Sequence, residues 1–199
     1  MTEEINLKAI ERKAWISYFE DGLLGIFLGA MLLIGGIRSI TDYAWYILLI
    51  VPLILISPLG KMLITTPRLG HVKFGPARKL KQTKVIAVLT ISVLATFALL
   101  MLPKSGFALP PKMLISPIMA GWIAVIFGII AYYLDFRRLF AYGLLFAISE
   151  VLSGLFGVYI GAMAQTISGI AVLLIGLFVL ARFLHKYRQP VEATPDVKG

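Results

Sequence analysis

The sequence predicts an all-α integral membrane protein, with about six transmembrane helices in a bundle preceded by an interfacial amphipathic helix. Three observations carry this. Of the 199 residues 59% are apolar and only 15% charged, and the mean hydropathy is +0.91, more apolar matter than a soluble domain of this length can hide. The apolar residues run in long blocks instead of at helical or strand periods, and a block of about 20 spans the ~30 Å hydrocarbon layer. Lysine and arginine fall almost entirely into every second inter-block segment.

The elements follow in order. Residues 5–20, INLKAIERKAWISYFE, mix Ile and aromatic residues with Lys and Arg. They read as an interfacial helix with Trp15 and Tyr18 at headgroup level. The opening MTEEINLKAIERK has no basic start followed by a short apolar run and a small-residue cleavage site, so the first span is expected to be its own insertion signal. Spans are expected at 22–37, 43–59, 85–102, 113–134, 139–161 and 165–181. Pro52 falls mid-way in the second and should kink it, and Ser116-Pro117 reads as an N-cap and first-turn proline near the start of the fourth. From Leu139 to Ala181 the only charge is Glu150. A helix that long would reach ~65 Å, about two bilayer cores, so a turn is expected near Gly161 to Thr166, where Gln165 and Thr166 supply polarity. Residues 1–184 form one membrane domain on this reading, and 185–199 a disordered cytoplasmic tail.

Orientation comes from the positive residues. Sixteen of the 19 lysines and arginines lie before the first span, between Lys61 and Lys84, at Arg137-Arg138 and after Ala181, against Arg38, Lys104 and Lys112 on the other side. The positive-inside rule then places both termini in the cytoplasm of a prokaryotic inner membrane. This distribution also accounts for the net charge of +9; no helix-turn-helix, zinc or aromatic RNA-binding pattern accompanies it, so no nucleic-acid partner is expected. Cysteine is absent, which excludes disulfides and thiolate metal sites. His71 and His185 are isolated, so no metal site is expected. Nucleophile elbows, phosphate loops, HExxH and paired-Asp motifs are all missing. The chain is therefore not expected to be an enzyme or to carry a cofactor.

Four features stand out as candidate sites. The segment between the second and third spans holds Lys61, Arg68, His71, Lys73, Arg78, Lys79, Lys81 and Lys84 and no acid. Residues 64–74 roughly alternate, and Leu69-Gly70-His71 could turn a small hairpin. Such a loop suits anionic lipid headgroups or an acidic partner, and equally serves as a plain positive-inside anchor. Glu150, with Ser149 and Ser153 beside it, is an acid inside the fifth span, which marks either a proton or cation site or a polar residue that joins helices. Glu20 and Asp21 fit an N-cap role at the mouth of the first span.

The fourth feature is a near repeat. GLLGIFLGAM, residues 22–31, returns as GLFGVYIGAM, residues 154–163, with six identities in ten. Both copies carry GxxGxxxG, at Gly22, Gly25 and Gly29 and at Gly154, Gly157 and Gly161, which reads primarily as a helix-packing face. If the copies are equivalent, Glu20, Asp21 and Glu150 share one polar layer. The stretches PRLGHVKF (67–74) and DGLLGIFLG (21–29) resemble segments of small prokaryotic multi-pass membrane proteins of no assigned activity. The resemblance covers 17 of the 199 residues and implies a membrane location and nothing about chemistry. The expected function is a small solute or ion permeation unit, as a homo-oligomer or with a membrane partner subunit. The alternative is a non-transporting accessory or sensor subunit that binds a cytoplasmic partner or anionic lipid through the basic 61–84 segment.

Overall fold

A computed structural model describes residues 15–41, 48–69, 75–101 and 112–187. Six helices account for most of them: α1 (Leu23–Thr41), α2 (Ile50–Gly60), α3 (Pro76–Met101), α4 (Lys112–Leu134), α5 (Arg137–Phe156) and α6 (Val158–Lys186). No strand occurs among the described residues. Five stretches are long and apolar enough to cross a membrane: Trp15–Thr41, Arg78–Leu99, Leu114–Leu134, Arg137–Phe156 and Val158–Lys186. The shorter α2 is prolonged by a π-helical turn, Lys61–Thr65, and by Thr66–Leu69.

Contacts between helices set them in the order α2, α1, α6, α5, α4, α3, with the α1–α6 pair the most extensive. That pair is antiparallel and its seam is made of glycine. A side chain at Gly22 would meet Gly176 and Leu180, one at Gly29 would meet Leu173, and one at Gly36 would meet Ala162 and Thr166. The two backbones thus touch along four turns, which small residues alone permit. By contrast α3 packs mainly on α4 and leaves Ile86, Ile91, Val93, Leu94 and Phe97 exposed. Lipid is as apolar as these side chains, so the exposure carries no penalty in a bilayer.

The 15–21 turn, the π segment, the start of α3, the α4–α5 turn and the end of α6 all meet at one end of the bundle. We call this the charged end. A core of Trp15, Val85, Ile130, Ala131, Leu134, Phe136, Leu139 and Tyr142 lies beneath it.

Several sequence expectations shift. The turn between the last two spans is at Gly157, not at Gly161 to Thr166; α5 stops at Phe156 and α6 starts at Val158. Gly157 has φ +96 and ψ 163, a region open essentially to glycine alone, so one residue reverses the chain where polarity had suggested a longer loop. Pro52 lies in the first turn of α2, where its missing N–H has no intrahelical acceptor to lose. The proline within that helix is Pro58, in its last turn and three residues before the π turn begins at Lys61. Residues 64–69, expected as one arm of a small hairpin, are helical instead, within Lys61–Leu69; residues 70–74, with His71 and Lys73, lie outside the described residues. Good helix formers in PARKLKQTK carry α3 nine residues upstream of the expected span. The helix α6 runs through His185 and Lys186, so the tail cannot begin at 185. Of the leader, residues 5–14 lie outside the described residues, and 15–19 form a helical turn broken from α1 at 20–22.

Candidate functional site at the charged end

Asp21 is fully buried. Its Oδ1 accepts the backbone N–H of Leu23 at 3.0 Å and its Oδ2 accepts the Thr65 hydroxyl at 2.9 Å. The first bond caps α1; the second ties α1 to the π turn. Gly22, at φ +85, lets the chain turn from the 15–19 helix into α1 directly beneath α6. Lys61 enters from the same π turn: its ammonium donates to the Tyr18 carbonyl at 3.3 Å and lies 3.9 Å from the Tyr18 ring centre and 4.2 Å from that of Phe19. Burial pulls the Lys61 pKa down to about 8, while the nearby Asp21 charge acts to hold it up. A π turn places these residues, as such turns often do at specialised sites.

The second cluster centres on Asp135, the residue of the α4–α5 turn, in a left-handed conformation with φ 55. Aspartate tolerates that region better than most residues. Arg78 Nη1 donates to Asp135 Oδ2 at 2.7 Å and Lys81 Nζ donates to the same oxygen at 3.0 Å. Burial alone would raise the carboxyl pKa; the two hydrogen bonds and the two positive charges outweigh it and hold the group below its ordinary value. Trp15 completes the knot. Its indole N–H donates to the Leu134 carbonyl at 2.9 Å and Arg78 lies 5.3 Å from its ring centre. Trp15 is 0% exposed, so it is a core residue joining the N-terminal turn, α3 and the α4–α5 turn, and not the headgroup-level anchor expected from the leader's composition.

The basic segment is correspondingly less free than its sequence suggests. Lys61, Arg78 and Lys81 are drawn inward onto acids or rings, and Arg68 donates to the Ile64 carbonyl at 3.0 Å. Arg68 Nε is buried without a partner among the described residues. Lys79 and Lys84 remain exposed; Lys84 lies 5.5 Å from the Tyr133 ring centre. A different basic group opens to the surface nearby. Arg138, Arg182 and Lys186, with Glu20 and the hydroxyls of Ser17 and Tyr187, line a cleft of about 380 Å³ between the 15–20 turn and the end of α6.

Glu150 stands apart from all of this. It is half-buried in α5, and accepts the hydroxyl of buried Ser116 on α4 at 3.2 Å. Ser149 turns back onto the Leu145 carbonyl at 2.8 Å, and Ser153 packs against Gly161 across the Gly157 joint. Because Gly161 is level with Ser153 while Gly22 is level with Gly176 and Leu180, Glu150 and Asp21 are separated by more than a dozen residues of α6, ~20 Å. The expected polar layer of Glu20, Asp21 and Glu150 does not form. Glu20 is exposed and faces the basic cleft instead.

From the sequence no role is drawn for Asp135 or Arg182, and Trp15 and Arg138 are read only as a headgroup anchor and a topology determinant. A signal existed for Asp135: LDFRR places an acid in a short segment otherwise reserved for positive residues, the mark of a charge with a fixed partner. For Arg182 there was none beyond topology. Among the described residues no group of His, Asp and Glu could hold a metal ion. Comparison of the chain with protein-family models, with curated proteins and with solved structures gives no match.

Proposed function

We propose that the protein is a multi-pass inner-membrane subunit that does not itself move a solute, and that its working surface is the charged end, turned to the cytoplasm, where it meets an anionic ligand or acidic partner. One observation carries the reading. Every ionic contact and every side-chain bond between distant helices except Ser116–Glu150, among those found in the described residues, is at this end. Two of the three acids there, Asp21 and Asp135, are engaged in joining elements, and against Glu20 alone Lys79, Lys84, Arg137, Arg138, Arg182 and Lys186 are exposed and positive. The distribution of lysine and arginine supports a cytoplasmic orientation.

The Ser116–Glu150 contact favours a second reading, a permeation unit with a carboxylate site within the membrane. Proteoliposomes separate the two. On the binding reading, a cation- or proton-driven flux is absent, and a pull-down of cytoplasmic protein is lost when Lys79, Lys84, Arg137 and Arg138 are reversed to Glu. A flux abolished by Glu150→Gln would overturn the binding reading and establish the other. Single cysteines at Thr83 and Ser105, in a chain with no native cysteine, test orientation: Thr83 is expected to label from the cytoplasm and Ser105 from outside.

A further inference from the structure

The cleft at the end of α6 has a graded lining. Along one face of α6, Ile175, Phe178, Val179, Arg182 and Lys186 recur at helical spacing, so the face passes from apolar to cationic over ~16 Å toward the charged end. Ile175 and Phe178 are 44% and 69% exposed, open to the hydrocarbon. Arg138 reaches the same cleft from the first turn of α5. Among the described residues no ion pair engages Arg138, Arg182 or Lys186, and Glu20 is the one acid lining the cleft. Three cations against one carboxylate leave a local surplus of two positive charges. The cleft volume of about 380 Å³ falls within the ~300–1,000 Å³ typical of small-ligand sites.

We infer that this cleft binds one anionic phospholipid, with the phosphodiester held by Arg138, Arg182 and Lys186 and an acyl chain lying along Ile175 and Phe178. Arginine forks match phosphate oxygens in pairs. Glu20 stands where it can accept a headgroup hydroxyl. The net charge of the lining sets the preference for a net-anionic lipid over a zwitterionic one. The inference rests on the reading that the charged end meets anionic ligands at the inner leaflet, and names which one and where.

Native mass spectrometry in mixed micelles of phosphatidylglycerol and phosphatidylcholine tests it. The wild type is expected to retain one phosphatidylglycerol in preference to phosphatidylcholine. Arg138→Gln with Arg182→Gln is expected to weaken that retention about thirtyfold, from roughly fivefold for each basic residue removed near an anionic surface. The control Arg38→Gln removes a positive charge from the last turn of α1, outside the cleft and away from the charged end, and is expected to leave retention unchanged. Should the double arginine variant fail to fold, Lys186→Gln, at the exposed last turn of α6, is expected to show the fivefold loss alone. Equal retention of both lipids, or equal loss in the control, would overturn the site. Full displacement by inorganic phosphate would show that a free anion and not a lipid is recognised, and would overturn it too. The micelle experiment does not depend on orientation. Reversed cysteine labelling with intact lipid retention would therefore count against the proposed function alone, and lost lipid preference with correct labelling against the site alone.

Discussion

GLLGIFLGAM and GLFGVYIGAM share six of ten letters and do different jobs. In the first copy Gly22, Gly25 and Gly29 all lie against the backbone of α6, and Gly22 also turns the chain. In the second, Gly157 bends the chain between two helices with nothing within 4 Å of an added Cβ, and Gly161 meets Ser153, a neighbour across that same bend. The second copy is therefore not one continuous packing face: Gly161 keeps a close contact with α5, whereas Gly157 is a joint. Glycine has two separate uses, close approach and unusual backbone angles, and the pattern does not distinguish them. The corresponding residue of the first copy, Gly25, is helical, and α6 packs on it through Gly176.

The largest effect expected is at the α1–α6 seam. Gly29→Leu and Gly176→Leu each push a side chain into the opposing backbone: at Gly176 the new Cβ would lie 2.6 Å from the Ile26 nitrogen. Neither helix can yield as a flexible side chain would, so a loss of at least ~3 kcal/mol is expected, read as failure to fold or a collapse of the thermal midpoint in micelles. A variant with near wild-type stability would break the comparison at its root.

Asp21→Ala comes next. It removes a helix cap and a buried hydrogen bond from Thr65, with an expected cost of about 2–3 kcal/mol by thermal or denaturant unfolding. Gly157→Ala follows at about 1–3 kcal/mol from backbone strain alone. Because space is open there, Gly157→Leu should cost little more than Gly157→Ala. At Gly29 the step from Ala to Leu should add substantially, and matching steps at the two glycines would show that the copies are alike after all.

The pH dependence sharpens the contrast, since charge clusters flank the first copy's end of the bundle and not the Gly157 joint. Asp135 has a lowered folded pKa, so its stabilisation is fully present above the ordinary carboxylate value of about 3.9 and is lost as pH falls through the lower folded value. Asp135→Asn should remove that acid dependence. Lys61 has a folded pKa of about 8 against 10.5. The unfolded chain then binds more protons between those values, and stability should rise from pH 8 toward 10.5. Lys61→Met should flatten the rise; a thermal midpoint that falls over this window in the wild type alone would sink the assignment. The smallest effect expected is Glu150→Gln, within ~0.5 kcal/mol, because the amide still accepts from Ser116.

Charge and hydropathy by themselves determined that the chain is a helical membrane protein, roughly where its apolar blocks lie, and that basic residues collect in alternate segments. These properties sum over many residues and depend on the solvent around each block, so no knowledge of neighbours is needed. What tertiary structure alone decided is which residues meet. Asp21 found Thr65 and Asp135 found Arg78 and Lys81 because distant helix ends converge; Trp15 left the interface for the core; and one glycine of a repeated pattern became a joint while its counterpart became a contact. An isolated acid, indole or glycine carries several uses of nearly equal free energy, and the packing of α1 on α6 and of α4 on α5 selects among them.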